Sequence, residues 1–253
     1  MTGPARVVER NFLTYRHAWW IVVTGAVEPL FFLFGVRLGI GALVGGVPLG
    51  GGRVVPYATF VAPALLATSA ANGVIYDTTF NFFDKLKYQK TYEAMLATPM
   101  SVAAISLGEL SWALLRSMVH AAFFVVTMAA MGLLVSWWAL LALPAVLVVA
   151  WGFAGVGLAA TTYVKSWQDF DWHLLAWLPM FLLSASFFPL SVYPEAIRWL
   201  VRVTPMYQGV ALLRQLALGT VEPSAPLHAA YLVAMGWLGL RHAGRRMDRL
   251  LLR

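Results

Sequence analysis

The sequence predicts an all-α polytopic membrane protein. Hydrophobic residues make up 60% of the 253 positions and charged residues only 11%, whereas soluble domains carry about 25% charged residues. The mean hydropathy is +0.74. A membrane-spanning helix needs about 20 mostly apolar residues to cross a hydrocarbon core of roughly 30 Å, and several stretches of this chain meet that requirement.

Six such stretches predict six transmembrane helices. Between the first two lies the segment GIGALVGGVPLGGGR, and we expect its glycines to break any helix and form a loop. The sixth stretch is short, so its flanking arginines would have to reach the membrane surface. The predicted spans are about 18–38, 56–75, 102–134, 140–163, 172–188 and 227–240.

Basic residues predict the orientation of these spans. An even number of spans puts both termini on one side, and the positive-inside rule places the more basic side in the cytoplasm. Residues 1–17 are therefore a cytoplasmic arm, and residues 18–253 form the transmembrane domain. The net charge of +7 is attributed to loops that face anionic membrane lipid, and no nucleic-acid partner is expected. The inner side would hold twelve basic residues, namely Arg6, Arg10, Arg16, Lys85, Lys87, Lys90, Lys165, Arg241, Arg245, Arg246, Arg249 and Arg253, and the outer side five, namely Arg37, Arg53, Arg198, Arg202 and Arg214.

Several kinds of chemistry are excluded or disfavoured by the sequence. The chain has no Cys, which rules out disulfides and thiolate metal sites, and it has no GxxxxGK[ST] motif for ATP. In the segment QDFDWH, Asp169 and His173 would share a helical face but Asp171 would not. We expect these acids to cap the start of the fifth span, where a helix N-terminus favours negative charge, and no metal site.

A charged segment separates the second and third predicted spans. No residue between Asp84 and Thr98 breaks a helix, and Pro99 would end one. One interpretation is a solvated connector whose lysines follow the positive-inside rule. The other is a docking helix, because exposed Tyr and Met are typical of contact surfaces. Its apolar stripe would comprise Tyr88, Tyr92, Met95 and Leu96.

The segment from Pro189 to Ser224 is too polar to span the membrane and too apolar for a free loop, and two outer helices are predicted within 194–219. The segment EAIRWLVRV predicts one short amphipathic helix, and a second would begin at Pro205 and end at Gly219. Two such helices before the last span suggest interfacial or re-entrant elements at the outer face.

Polar residues inside the predicted spans are candidate functional groups, because charge is costly in a bilayer. Glu28 precedes Pro29 in the first span, and it either marks a kink satisfied by neighbouring helices or lines a translocation path or a subunit interface. Glu109, Arg116 and His120 would share one face of the third helix. They form either a mutually compensated polar stripe or the lining for a substrate head group.

Two long motifs carry a resemblance to a known family. YDTTFNFFDKLKYQKTYEAMLATPMS, followed much later by FFPLSVYPEAIRWLVRVTPMYQGVALLRQLALG, resembles the permease subunit of ABC type-2 exporters, in the branch of nodulation-type lipo-oligosaccharide exporters and daunorubicin-resistance permeases. The resemblance covers essentially the whole chain. One departure precedes Phe-Phe-Pro, where the family usually has Ser-Gly and this chain has Ser184-Ala185-Ser186.

The resemblance implies a role for the charged segment. In this family the helix after span two is the coupling helix, which docks on a separate ATP-hydrolysing subunit, and here it would cover 84–98. The N-terminal amphipathic helix would cover about Val7–His17, with Arg10 and Arg16 facing lipid phosphates or the ATPase. The coupling-helix candidates are Lys87, Tyr88, Lys90, Thr91, Tyr92, Glu93 and Met95.

The resemblance also implies the assembly. Two P-loop ATPase subunits would pair with this chain and with a second permease copy or paralogue, in the plasma membrane of a bacterium. This chain would be no enzyme and would hold no cofactor itself, since ATP and Mg would bind the ATPase. The substrate class would be an amphipathic lipid-linked saccharide or a hydrophobic drug, and Phe187 and Phe188 are candidate gate residues.

The alternative function is one without ATP. A secondary transporter often shows internal repeats, and none is visible between the two halves of this sequence. A membrane-bound transferase would need clustered His, Asp or Glu at a membrane face, and only QDFDWH comes near. A third alternative is a membrane scaffold with no transport role, but that function would not explain the polar face of the third span.

Overall fold

A computed structural model describes residues 3–18, 27, 30–49 and 52–251. Glu28, one of the predicted path residues, lies outside this set. The described part is mostly helical and contains one short hairpin. Its helices are α1 Gly3–Tyr15, α2 Leu30–Val44, α3 Tyr57–Lys87, α4 Thr91–Leu96, α5 Val102–Ala130, α6 Trp137–Thr161, α7 Asp171–Leu182, α8 Glu195–Val203, α9 Pro205–Leu218 and α10 Ala225–Leu251, and its strands are β1 Gly46–Leu49 and β2 Arg53–Pro56.

Within the described residues, three helices are long and apolar enough to cross a bilayer. They are α3, α5 and α6, with 31, 29 and 25 residues. These helices confirm an all-α membrane protein, whereas the total of six spans stays a prediction.

The predicted fifth span, 172–188, is wrong in length. Helix α7 ends at Leu182 after 12 residues, which is about 18 Å and shorter than the hydrocarbon core. Beyond it the chain turns sharply, because Ser184 donates to the Phe181 carbonyl at 2.5 Å and Ala185 adopts a left-handed backbone with φ of 55°.

The glycine-rich segment 39–53 is not the simple loop that its composition predicts. Helix α2 continues through it to Val44, and Gly45, with φ of 71°, ends the helix. Strands β1 and β2 then pair antiparallel. Val47 and Val55 face each other in this hairpin and are both buried, as the alternation of side chains in strands requires.

Helix α3 lies at the centre of the bundle. Most of its apolar residues are buried, and Val61, Ala62 and Ala67 are fully inaccessible. Helices α5, α6 and α9 surround it.

Glycines bring α6 and α10 into close contact, as the small residues of GFAGVG predict. A Cβ atom added to Gly155 would overlap the backbone of Gly236, and one added to Gly239 would overlap the backbone of Gly155. The two helices therefore touch backbone to backbone.

Helix α1 packs against the first half of α5. Val7 is 1% exposed, and a Cβ added to Gly108 would overlap Val7 and approach the Pro4 carbonyl at 2.9 Å. The N-terminal helix is thus packed directly on one of the three long apolar helices.

Candidate docking surface and polar cleft

The connector between α3 and α5 is two helices and not the single helix predicted for 84–98. Helix α3 continues to Lys87, Lys90 adopts a left-handed backbone with φ of 50°, and α4 begins at Thr91. Local hydrogen bonds close the last turn of α3, since the backbone amides of Tyr88 and Gln89 both donate to the Asp84 carbonyl at 3.0 Å. The Gln89 side chain also donates to the Asp84 carboxylate at 2.5 Å.

This break gives the two predicted tyrosines different environments. Tyr92 is fully buried and its ring lies 4.9 Å from that of Phe82. Burial raises the pKa of Tyr92, and the nearby Glu109 carboxylate raises it further. Tyr88 is 58% exposed and stacks on Trp167 with ring centroids 5.7 Å apart. Tyr92 is therefore part of the core, and its side chain is not accessible to a partner on this surface.

The other predicted contact residues are accessible from one side of the connector. The exposed ones are Lys87, Tyr88, Lys90 and Glu93, with the Lys90 and Glu93 side chains 4.0 Å apart. A cleft of about 420 Å³ between α1 and α4 is lined by Arg10, Thr91 and Met95, among others. We call these seven residues the docking surface. Arg16 is exposed at the end of α1 and does not line this cleft.

Two buried ion pairs lie directly behind the docking surface. The Lys85 Nζ lies 2.7 Å from Glu109 Oε2 and also donates to Asn11 Oδ1 at 3.2 Å. The Arg116 guanidinium lies 2.9 Å from Asp77 Oδ1. These side chains, together with Asn81 and Tyr15, form what we call the ion-pair cluster.

The ion-pair cluster joins three helices. Asn81 donates to Asp77 at 2.6 Å, and the Arg116 guanidinium lies 5.5 Å from the Tyr15 ring of α1. Asp77 and Lys85 are eight residues apart on α3, and their partners Arg116 and Glu109 are seven apart on α5. Each separation is about two helical turns, and the order of the partners is reversed because α3 and α5 run antiparallel here. Glu109 is therefore paired with a cation of α3, as the alternative of a compensated polar stripe requires.

Sequence reasoning missed Asp77 and Lys85 as partners of α5. The signal was present, because two charges seven residues apart on one apolar helix require two counter-charges at a matching spacing. Asp77 and Lys85 supply that spacing on the preceding helix.

Arg116 and His120 line a second cleft of about 330 Å³. Thr68, Ser69 and Asn72 of α3 form its facing wall. Because it combines hydroxyl, amide, guanidinium and imidazole groups with aromatic rings, we call it the polar cleft. Its aromatic lining comprises Phe32, Tyr76, Trp177 and Phe181.

The two candidate gate residues differ in position. The Phe187 ring lies 5.2 Å from that of Phe181 and 6.4 Å from that of Phe32, so it packs against two rings that line the polar cleft. Phe188 is 56% exposed and does not line it.

Arg214 fixes the turn that carries Phe187, a role that the sequence did not reveal. Its Nη2 donates to the carbonyls of Ala185 and Ser186 at 2.9 and 3.0 Å, and its Nε donates to the Phe60 carbonyl of α3 at 3.2 Å. Ala185 holds a left-handed conformation that glycine adopts without steric cost. The hydrogen bonds from Arg214 to the Ala185 and Ser186 carbonyls therefore stabilise this left-handed conformation at an alanine.

Asp169 caps the turn before α7, as predicted. Its carboxylate accepts from the backbone amides of Lys165 and Ser166 at 2.7 and 3.2 Å. These donors lower the pKa of Asp169. The side chain of His173 lies outside the described residues, and elsewhere in the described part no group of three or more His, Asp and Glu residues could hold a metal ion.

The fold and these clefts define a class, namely a polytopic helical membrane protein with a polar cleft inside the bundle. Residues 5–218 match the ABC-2 type transporter family. The chain belongs to that family, and it is a membrane-integral transport component of a bacterial ABC transporter.

Curated relatives agree with this assignment. The chain is 33% identical over 216 residues to nodulation protein J of Rhizobium leguminosarum bv. trifolii, which covers 84% of this chain and 80% of the relative. It is 30% identical over 225 residues to nodulation protein J of Rhizobium meliloti, covering 88% and 84%. The protein of the same name from Azorhizobium caulinodans is 27% identical over 254 residues, covering 98% of each chain.

Proposed function

We propose that this chain forms the translocation path of an ATP-driven exporter and couples it to separate ATPase subunits through the docking surface. The observation that carries the proposal is the exposed, mixed-charge face of Lys87, Tyr88, Lys90 and Glu93 beside the α1–α4 cleft. Monomeric surfaces of this kind, with exposed aromatic residues beside a concave site, are typical of protein contacts.

The contacts behind this surface supply a coupling path. Lys87 ends α3, and the ion-pair cluster begins two residues earlier at Lys85. Movement of the connector would act directly on α3, and through Glu109 and Arg116 it would also act on α5. Arg116 lines the polar cleft, so the same residue belongs to the coupling path and to the proposed translocation path.

The polar cleft supports an amphipathic substrate. Hydroxyl and amide side chains on α3 suit a saccharide head group, and neighbouring aromatic rings suit an apolar portion. An amphipathic lipid-linked saccharide or a hydrophobic drug fits this lining, and the resemblance to nodulation-type lipo-oligosaccharide exporters favours the first. Two ATPase subunits and a second permease copy or paralogue would complete the assembly, with both termini of this chain in the cytoplasm.

The proposal is tested by co-purification from native membranes in mild detergent. Glu93→Arg reverses an exposed charge on the docking surface without touching the core. We expect wild-type chain to bring a P-loop ATPase with it, and the variant to retain on the order of tenfold less, since about 1.4 kcal/mol of lost affinity is a factor of ten.

The matched control is Glu195→Arg. Glu195 is also an exposed glutamate near a helix start, but on α8, which we place at the outer face. It should retain the ATPase at the wild-type level. Equal retention by both variants, or absence of any ATPase from the wild type after gentle crosslinking, would refute the proposed coupling. Tyr92→Arg is unsuitable because it would disrupt the core.

A further inference from the structure

A large apolar cleft lies between α6 and α7, and Trp177 separates it from the polar cleft, since that residue lines both. Its volume is about 580 Å³, within the range of roughly 300–1,000 Å³ that is usual for ligand sites. Apolar side chains such as Phe153, Trp177 and Met180 dominate its lining. The cleft is open on one side, because α7 stands apart from the bundle and its residues Ala176 and Leu178 are exposed.

The dimensions of this cleft match one leaflet of a bilayer. On α6 it extends from Phe153 to Thr161, about 12 Å along the helix axis, and the following turn adds Tyr163 and Val164. Half of a hydrocarbon core is about 15 Å. An acyl chain of the surrounding membrane therefore has the length and chemistry to fill it.

One end of the cleft is polar and carries positive charge. Tyr163 and Trp172 line this end and are exposed aromatic residues of the kind found at membrane interfaces. The Arg246 guanidinium lies 3.7 Å from the Tyr163 ring, with one N–H directed at the Thr162 carbonyl at 3.4 Å. Lys165 is exposed directly after Val164, the last lining residue of the turn that follows α6. The opposite end, at Pro205 and Met235, is apolar.

This arrangement matches the amphipathic order of a phospholipid. We propose that the α6–α7 cleft binds a membrane glycerophospholipid, with an acyl chain between the helices and the phosphate beside Lys165 and Arg246. Asp169 also lines the polar end, where backbone amides hold its carboxylate. A phosphate therefore approaches the two cations, and an amine-bearing head group would meet Asp169.

Native mass spectrometry of the purified chain tests the site, since it reports bound lipid and oligomeric state together. We expect wild-type chain to retain phospholipid after mild-detergent purification, and to rebind added phosphatidylglycerol or phosphatidylethanolamine after delipidation. Phosphatidylethanolamine carries an amine that could pair with Asp169 and phosphatidylglycerol does not, so the difference in their binding affinities measures the contribution of Asp169. Lys165→Gln should weaken rebinding by about fivefold, the loss expected for one basic residue near a phosphate surface.

Filling the cleft provides the decisive variant. Ala160 and Ala176 are exposed and line opposite walls, so Ala160→Trp or Ala176→Trp should reduce bound lipid by about tenfold with the thermal stability unchanged. Val126→Trp adds the same indole to an exposed position of α5 and should leave lipid binding intact.

Several results would overturn this proposal. Wild-type lipid retention by both tryptophan variants would exclude the cleft as the site. Loss of dimer with unchanged lipid content would make the cleft an interface between copies of this chain. A bound mass that is not a phospholipid would exclude a membrane lipid as the occupant. None of these results depends on an ATPase subunit, so the outcome is independent of the coupling proposal.

Discussion

Each charge of the ion-pair cluster is held by a partner on another helix. Side chains of Asp77 and Glu109 are both only 6% exposed, where an unpaired charge would be expensive. The pairs Lys85–Glu109 and Asp77–Arg116 therefore specify how α3 and α5 align. Because breaking either pair would be costly, α3 and α5 should move together when the connector moves. Such movement would reach the polar cleft through Arg116.

Removing one member of a buried pair should destabilise the protein strongly. Arg116→Met leaves the Asp77 carboxylate buried with Asn81 as its neighbour, so we expect a loss of about 3–5 kcal/mol and a melting temperature in detergent roughly 10 °C lower. The double variant Asp77→Asn/Arg116→Met should recover a large part of this loss, because neither charge remains.

The exposed pair Lys90–Glu93 is the control for that prediction. Its side chains are 69% and 58% exposed and 4.0 Å apart, and such pairs contribute about 0–1 kcal/mol. Glu93→Gln should therefore leave the melting temperature nearly unchanged. Equal effects of Glu93→Gln and Arg116→Met would show that the buried pairs do not hold α3 and α5 together.

At the scale of elements, glycines bring the backbones of α6 and α10 into direct contact. Gly155, Gly236 and Gly239 leave no room for a Cβ at their contact. Such backbone contact lets helices associate where burial from water gives no driving force.

A methyl group at this contact should separate the two helices. Gly239→Ala would overlap the Gly155 backbone, and we expect a destabilisation of about 1–3 kcal/mol from overpacking. Gly244 lies on the same helix and has nothing within 4 Å of an added Cβ. Gly244→Ala should instead stabilise by about 0.5–1 kcal/mol. Thermal unfolding of the two variants measures the contrast, and equal shifts would contradict close packing at Gly239.

The limits of some elements were predictable from local chemistry and those of others were not. Helix α9 begins at Pro205 and ends before Gly219, which is left-handed with φ of 72°, and both residues favour those positions in any context. The segment between Lys87 and Thr91, where α3 ends and α4 begins, contains no Gly, Pro or Asn that would predict a helix break. It depends on Tyr92 packing on Phe82 and on Tyr88 stacking on Trp167, and such distant contacts are not visible in a short stretch of sequence.

In the whole molecule, the docking surface, the ion-pair cluster and the polar cleft follow one another along α3. The sequence located the connector, Arg116 and His120, because charge in an apolar chain is conspicuous. It did not locate Arg214 as the residue that ties the Phe187 turn to α3, because a single basic residue on a short amphipathic helix is ordinary. The order of the three sites depends on packing between distant segments.

Site-directed crosslinking tests whether an ATP-hydrolysing subunit binds the docking surface. The chain has no cysteine, so Glu93→Cys and Glu195→Cys each introduce one exposed thiol for a benzophenone-maleimide label. After illumination in native membranes, we expect an adduct between the Glu93 position and a P-loop ATPase, and none from the Glu195 position. An adduct from the Glu195 position alone, or equal adducts from both, would contradict the assigned docking surface and the cytoplasmic placement of the connector.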